Sequence, residues 1–261
     1  MIRIGAVGDV HLGEDTQGQL RPALENVGAH ADVLLLAGDL TRHGTAAEAK
    51  VVAAEFGGLP VPVVAVLGNH DYHSDQQDQV TGILTAAGIT VLEGTGTVLD
   101  LHGTRVGIAG VKGFGGGFAG KCGSDFGEPE MKAFVGHTKT IAASLAAALD
   151  GLDADHRIAL THYAPVNDTL IGEPPEIYAF LGSYLLAEAI DHAGASLAIH
   201  GHAHHGSEQG MTPGGVAVRN VAQPVIRRAY AVYCLDAAGP RTTAGHPAGN
   251  AAENPASAVP A

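Results

Sequence analysis

The chain has 261 residues, of which 46% are hydrophobic and 16% charged, and its formal net charge is −13. This apolar content is that of a globular protein and excludes an intrinsically disordered chain. The acidic excess argues against an extended nucleic-acid surface or an anionic-membrane surface. Histidine, with 15 residues, outnumbers Lys and Arg together at 14, so histidine-bound metal ions are one source of local positive charge.

The first third of the chain alternates short apolar runs with amphipathic stretches. The apolar runs at residues 2–7, 32–37 and 61–67 predict buried strands. Apolar residues at helical spacing predict helices over 15–29 and 45–56. Continuous Val, Ile and Leu runs alternating with helices indicate a mostly parallel sheet covered on both faces.

The rest of the folded chain is more mixed, and we expect one α/β domain over residues 1–236. The predicted strands are 89–93, 97–101, 105–109, 156–161, 197–200, 216–221 and 229–235, and the predicted helices are 128–149 and 177–193. Residues 237–261 are mainly Ala, Pro, Gly and Asn with almost no large apolar side chains. Such a segment buries too little surface to order itself, so we expect a disordered tail.

The sequence also gives signals about the cellular location of the protein. No run approaches 18 consecutive apolar residues, and the amino terminus lacks the pattern of a signal peptide. The two cysteines, Cys122 and Cys234, are too few for a disulfide framework. We therefore expect a cytoplasmic enzyme without a membrane partner.

Five predicted strands are each followed at once by side chains that can bind metal. These are the clusters Asp9-Val10-His11, Gly38-Asp39, Gly68-Asn69-His70-Asp71, Thr161-His162-Tyr163 and Gly201-His202-Ala203-His204. Ligands of open α/β sheets bind outside the carboxyl ends of the strands, so we expect these clusters to converge.

The residue types suit a pair of transition-metal ions. Imidazole and carboxylate together bind Zn, Fe or Mn. Taken singly, Asp9, Asp39 and Asn69 are better explained as turn or cap residues, since Asp and Asn are common there. A capping role does not account for histidines at matched places, and the full set therefore favours a metal site.

This ordered set of motifs, Asp9-x-His11, Gly38-Asp39, Gly68-Asn69-His70-Asp71, His162 and Gly201-His202-x-His204, resembles the calcineurin-like metallophosphoesterase superfamily. The resemblance implies a four-layer α/β/β/α sandwich of two mixed sheets flanked by helices. It also implies a metal-dependent hydrolase of phosphoric esters.

The resemblance assigns roles residue by residue. It implies two metal ions (Mn, Fe or Zn), one held by Asp9, His11 and His204, the other by Asn69, His162 and His202, with Asp39 bridging both. A hydroxide that bridges the metals would attack phosphorus directly. His70 would protonate the leaving oxygen, and Asp71 would orient the His70 ring.

The substrate contacts follow from weaker signals. The glycine-rich stretch 110–118 is interpreted either as a flexible connection or as a substrate-facing lid. In a lid, Lys112 would contact phosphate and Phe114 or Phe118 would stack on a base. Arg42 is a second predicted phosphate contact.

The functional prediction is hydrolysis of small phosphodiesters, nucleotide-like or cyclic. Two features depart from the phosphoprotein phosphatase branch of the superfamily. One is the Gly-Asn-His-Asp sequence at 68–71, and the other is the absence of the Asp-Arg pair that this branch carries after its Gly-Asp motif. They favour its phosphodiesterase-like branch. The alternatives are a phosphomonoester or phosphoprotein phosphatase and a non-catalytic scaffold on the same fold, which the complete ligand set disfavours.

Overall fold

A computed structural model of the chain describes residues 1–236, and the predicted tail at 237–261 lies outside the described residues. The strands are β1 (Ile2–Val7), β2 (Val33–Ala37), β3 (Val63–Val66), β4 (Ile89–Val91), β5 (Thr95–Leu101), β6 (Thr104–Val111), β7 (Gly117–Phe118), β8 (Lys121–Cys122), β9 (His156–Thr161), β10 (Leu197–His200), β11 (Gln209–Met211), β12 (Ala217–Asn220) and β13 (Ala231–Leu235). The helices are α1 (Arg21–Leu24), α2 (Val27–His30), α3 (Ala46–Phe56), α4 (Gln77–Ala86), α5 (Pro129–Asp150), α6 (Tyr178–Leu181), α7 (Tyr184–His192) and α8 (Gln223–Ile226).

Two mixed sheets form the centre of the fold. The first has the order β13-β1-β2-β3-β4, parallel except for β13. The second has the order β11-β12-β10-β9-β6-β5, with antiparallel strands at both edges and parallel strands between them. Helices α3 and α4 pack on the first sheet, while α5 and α7 pack on the second.

The second sheet is buried on both faces, and its side chains alternate between two cores. Ile158 and Leu160 of β9 belong to the core shared with the first sheet, whereas Ala159 belongs to the core under α5 and α7. Alternation of this kind follows from the two-residue period of a strand. The layers therefore run helix, sheet, sheet, helix, and the predicted four-layer sandwich is confirmed. Across residues 1–236, none of the helices combines the length and the apolar character needed to span a bilayer.

Two predicted helices are broken in the structure. In place of one helix over 15–29, the structure has the short helices α1 and α2. Gly18 takes a left-handed φ of 81°, and backbone amides near it donate to a side chain distant in sequence. The amides of Gly18, Leu20 and Arg21, which precede or begin α1, donate to the Glu55 carboxylate and so are unavailable to one continuous helix. Long-range hydrogen bonds of this kind override local periodicity.

The predicted helix 177–193 ends early and restarts. Gly182 pairs with Ala164 in an isolated bridge, which separates α6 from α7. The Ser183 hydroxyl then caps α7 by accepting from the Leu185 amide at 3.3 Å. By contrast, the predicted helix at 45–56 is present as α3, and it begins with a capping box in which Thr45 and Glu48 are bound reciprocally.

The two sheets approach each other closely at the carboxyl edge of β2 and β9. Gly38 follows β2 with a φ of 80°, and a Cβ there would lie 2.6 Å from Nδ1 of His162. The same Nδ1 lies 2.9 Å from the Ala37 carbonyl, to which it donates. Only glycine combines this backbone conformation with this close approach.

We expect Gly38→Ala to destabilise the protein by about 2–4 kcal/mol, because a strained φ and a clash with His162 add together. Urea unfolding of the purified protein measures the change. Gly82→Ala is the matched control, since Gly82 lies in α4 with open space around its Cβ position. The control should raise stability by roughly 0.5–1 kcal/mol. A Gly38→Ala variant as stable as the wild type would contradict the close approach.

An ionic cluster joins the sheets at the opposite edge. The Asp32 carboxylate, with 5% of its side chain exposed, accepts from the Arg3 amide at 2.7 Å and from the Arg3 guanidinium at 2.6 Å. His102, in the turn between β5 and β6, lies 3.1 Å from the same carboxylate. Burial opposes ionisation, but these hydrogen bonds outweigh it and hold the pKa of Asp32 well below its usual range.

Asp32→Asn should therefore lower stability at neutral pH by about 1–3 kcal/mol, the range for hydrogen bonds to a charged group. A depressed folded-state pKa adds stability above the unfolded-state value near 4, and this stability is lost as the pH falls through the folded-state pKa. Urea unfolding between pH 7 and pH 3 should show the two proteins converging. Asp153→Asn, which removes an exposed partner of Arg105, serves as the control. A constant difference across this range would exclude the linkage.

Candidate metal centre

The five polar clusters predicted from sequence meet at one edge of the sandwich. Asp9, Asp39 and Asn69 follow β1, β2 and β3 of the first sheet. His162 follows β9 and the loop carrying His202 and His204 follows β10, both in the second sheet. The site is therefore assembled where the carboxyl edges of the two sheets face each other, as expected for a ligand site of an α/β fold.

The first group of candidate ligands contains Asp9, His11, Asp39 and His204. Each offers one ligand atom, and these atoms all lie within 4.8 Å of one another. Nε2 of His204 lies 2.9 Å from Oδ1 of Asp9 and 3.4 Å from Nε2 of His11. Four donors at this spacing can surround a single ion.

The second group contains Asp39, His162 and His202, again with all ligand atoms within 4.8 Å. Nε2 of His162 lies 3.4 Å from Oδ1 of Asp39 and 3.0 Å from Oδ1 of Asn69. Asp39 thus belongs to both groups, and Asn69 adjoins the second. The structure brings together all seven predicted ligands.

Strained backbone marks four of these residues. Asp9, His11, Asp39 and His202 have φ angles of 56°, 43°, 49° and 70°. Residues other than glycine adopt this left-handed region at a cost of about 1–3 kcal/mol each. Such strain is characteristic of functional sites, where the surrounding structure holds side chains in a required direction.

Three glycines let the ligand loops approach one another. A Cβ on Gly68 would overlap the Asp39 carboxylate, and a Cβ on Gly201 would overlap that of Asp9. Gly38 makes the corresponding approach to His162. The proximity of these loops therefore requires glycine at these three positions.

Asp39 dominates the electrostatics of the two groups. Burial opposes ionisation of its carboxyl, but His162 outweighs burial and holds the pKa of Asp39 well below its usual range. Burial would lower the pKa of His162, yet Asp39 raises it to about 9. Burial, reinforced by His162, lowers the pKa of His202 to about 3. The His202 ring is therefore neutral at pH 7, as metal binding requires, whereas the His162 ring would release its proton when an ion binds.

The chemistry of the donor set fits a pair of metal ions. Carboxylate oxygens and imidazole nitrogens converge in both groups, and this mixture suits Mn, Fe and Zn. One carboxylate, Asp39, is placed to offer an oxygen to each group. Without metal ions, these buried polar groups would lie against one another, and the backbone strain would have no compensating interaction.

His70 lies beside the groups, with 44% of its side chain exposed. Its Nδ1 donates to the Arg42 carbonyl at 2.8 Å, which fixes the ring orientation. Its Nε2 lies 4.0 Å from Oδ2 of Asp39, and its amide donates to Oδ1 of Asp39 at 2.8 Å. The free edge of the ring therefore faces the site.

The predicted role of Asp71 as the partner of the His70 ring is wrong. The Asp71 carboxylate is fully buried and accepts from the amides of Leu40, Thr41 and Gly68 and from the Thr41 hydroxyl. Its side chain faces the loop after β2 because the turn at 70–72 directs it inward. Asp71 thus joins the loops that carry Asp39 and Asn69, and the Arg42 carbonyl orients His70.

The glycine-rich stretch is packed rather than a free connection. A Cβ on Gly115 would lie 2.7 Å from the Ala179 carbonyl, so the stretch lies against α6. Phe118 is 8% exposed in a small core with Leu170 and Leu181, and its predicted stacking role is wrong. The Arg42 guanidinium lies 3.0 Å from the Asp15 carboxylate in an exposed pair, and its phosphate contact stays a prediction.

Lys112 and Phe114 do lie close to the candidate ligands. The Lys112 carbonyl accepts from the amide of His162 at 2.9 Å. Phe114 packs near Tyr163, whose ring centroid lies 4.3 Å from that of His202. Tyr163 has no role predicted from sequence, although its position directly after His162 is a signal that it belongs to the site.

Solved structures share this architecture. The phosphopantetheinyl hydrolase PptH from Mycobacterium tuberculosis is similar over 93% of this chain and 98% of its own, with 16% identity and a TM-score of 0.63. The protein TT1561 of Thermus thermophilus is similar over 84% and 88%, with 18% identity and a TM-score of 0.51. A putative 5′-nucleotidase from Staphylococcus aureus is similar over 84% and 48%, with 14% identity and a TM-score of 0.54. At these identities the likeness supports the fold.

Family membership rests on the sequence. No curated protein matches the chain significantly. The profile of calcineurin-like phosphoesterases matches residues 2–206, which span every candidate ligand. The predicted enzyme class, a metal-dependent hydrolase of phosphoric esters, is confirmed by this match. The chain belongs to the calcineurin-like phosphoesterase family.

Proposed function

We propose that this protein hydrolyses small phosphodiesters at a site for two metal ions. The observation that carries the proposal is the pair of donor groups sharing Asp39, with the ring of His70 beside them. Paired metal sites of this kind serve in-line displacement at phosphorus. The reaction adds water across a P–O bond and yields a phosphomonoester and an alcohol.

The proposed ligands of one ion are Asp9, His11, Asp39 and His204, and those of the other are Asp39, Asn69, His162 and His202. Bound there, divalent ions supply Lewis-acid activation of the ester and of the attacking water. The strained backbone at Asp9, Asp39 and His202 supports these assignments, because it fixes the donors before any ion binds. Mn, Fe and Zn all suit the donors.

His70 is proposed as the proton donor to the leaving oxygen. Its Nδ1 hydrogen is held by the Arg42 carbonyl, so the second proton of the charged ring is carried on Nε2. That nitrogen faces the site, 4.0 Å from Oδ2 of Asp39. A proton delivered from Nε2 to the leaving oxygen neutralises the alkoxide as the P–O bond breaks.

Preference for diesters is proposed from the surroundings of the second donor group. A diester carries an esterified group on each side of phosphorus, and the group that does not leave needs a surface beside the metals. The half-buried ring of Phe114 offers aromatic surface near the metal centre, and it packs near the buried ring of Tyr163, which contacts His202. A monoesterase has no need of this second surface.

His70→Ala should keep both metal ions and lower kcat by about 10²–10⁴-fold, the usual contribution of a general acid. Metal content by mass spectrometry and steady-state hydrolysis of bis(p-nitrophenyl) phosphate measure the two effects. His73→Ala, at an exposed position three residues further along the chain, should match the wild type. Normal turnover by His70→Ala would refute the proton-donor role.

Protein reconstituted with Mn should bind two ions per chain and hydrolyse bis(p-nitrophenyl) phosphate faster than p-nitrophenyl phosphate. The reason is the aromatic surface available to a second ester group. A panel that adds a phosphopeptide, a cyclic nucleotide and a phosphopantetheinyl ester distinguishes the alternatives. Activity confined to monoesters or phosphopeptides would replace the diesterase proposal with a phosphatase. Protein that binds no transition metal would overturn the metal site and favour a scaffold.

A further inference from the structure

The ammonium group of Lys112 lies among aromatic rings. Its Nζ is 5.0 Å from the ring centroid of Tyr72 and 5.3 Å from those of Phe114 and Tyr163. Each distance is within the range of a cation–π interaction. These four residues, Tyr72, Lys112, Phe114 and Tyr163, are called the lysine subsite below.

The lysine subsite adjoins the candidate metal centre. The Lys112 carbonyl accepts from the amides of His162 and Tyr163 at 2.9 and 3.0 Å, which anchors the lysine to the loop after β9. Tyr163 packs on His202, and Tyr72 ends the turn that begins at His70. An oxygen bound by Lys112 would therefore belong to a molecule that also reaches the metal centre.

The hydrogen-bonding capacity of the ammonium is largely unused. It has three donors, and within residues 1–236 it forms one long hydrogen bond, to the Gly113 carbonyl at 3.4 Å, and no ion pair. The nearby Glu93 carboxylate accepts instead from the Lys112 backbone amide, at 3.1 Å. A partly buried cation with free donors has capacity for an external anion.

The rings around Lys112 strengthen its attraction for an anion. Phe114 also contacts the rings of Phe134 and His137, at 5.1 and 4.6 Å between ring centroids, so further rings pack against the lysine subsite. Aromatic residues are scarce in this chain, with six Phe, six Tyr and no Trp, yet several meet here. Apolar walls lower the local dielectric, and charge–charge attraction increases as the dielectric falls.

We propose that the lysine subsite determines specificity by binding a second anionic group of the substrate, separate from the phosphate that is hydrolysed. The preferred substrates are then phosphodiesters that carry a further phosphate on the part of the molecule that keeps the hydrolysed phosphate. This inference rests on the proposed function and names its substrate class. Lys112 contributes to substrate selection, while the metal centre and His70 carry out the bond cleavage.

A matched pair of chromogenic diesters tests the inference. The p-nitrophenyl ester of thymidine 5′-phosphate and its 3′-phosphorylated counterpart differ only in the second phosphate. Protein loaded with Mn should prefer the 3′-phosphorylated ester by about 10- to 100-fold in kcat/KM, the factor expected for hydrogen bonds to a charged group. Lys112→Met should abolish the preference mainly through KM, and Lys112→Arg should restore much of it.

The ester without the 3′-phosphate reports folding and metal loading in the same preparation. Lys139→Met is the matched control, because Lys139 is exposed and paired with Asp125. Equal kcat/KM of the wild type on both esters would overturn the inference and leave the proposed function intact. An equal loss of kcat/KM on both esters in Lys112→Met would do the same. Absence of hydrolysis of either ester by the wild type would overturn the proposed function itself, and with it this inference.

Discussion

The Asp39 carboxylate couples the two sheets of the sandwich. It follows β2 of the first sheet, yet one oxygen lies 3.4 Å from His162, which follows β9 of the second. It also accepts from the amide of His70, so the loop after β3 is bound to the same group. Because a buried carboxylate needs compensating partners, the positions of these three loops depend on one another.

A second buried carboxylate supports the first. Asp71 is fully buried and accepts from the backbone of the loops on either side, including the amides of Thr41 and Gly68. Burial, followed by the charge of Asp39, raises the pKa of Asp71. Two acidic groups close together in a core are costly, and the hydrogen bonds from the surrounding amides offset part of that cost.

The strain of the site is supported by the sandwich around it. Four candidate ligands hold left-handed backbone conformations, which cost free energy wherever they occur. The core shared by the sheets contains fully buried Leu, Ile and Val side chains from β1, β2, β3, β9 and β10. Each such side chain contributes about 1.5–3 kcal/mol, so a large core can hold a strained edge in place.

The acidic surface and the anionic substrate are compatible because charge is distributed unevenly. The net charge of −13 counts histidine as neutral and includes no metal ions. Divalent ions in the two donor groups and the Lys112 ammonium would place positive charge at one edge of the fold. The local field then governs ligand binding, while the rest of the surface stays acidic.

The sequence by itself indicated an α/β fold with polar residues after its strands, because both are local signals, and its motifs, through the family resemblance, implied the four-layer arrangement and the seven candidate ligands. Sequence did not determine the breaks in helices 15–29 and 177–193, the partner of Asp71, or the burial of Phe118. Each of these depends on a group distant along the chain, such as Glu55 for Gly18 or Ala164 for Gly182. Nor did sequence reveal the rings around Lys112, which come from three separate loops. Tertiary structure decided these features, since hydrogen bonds and ring contacts between distant segments outweigh local preference.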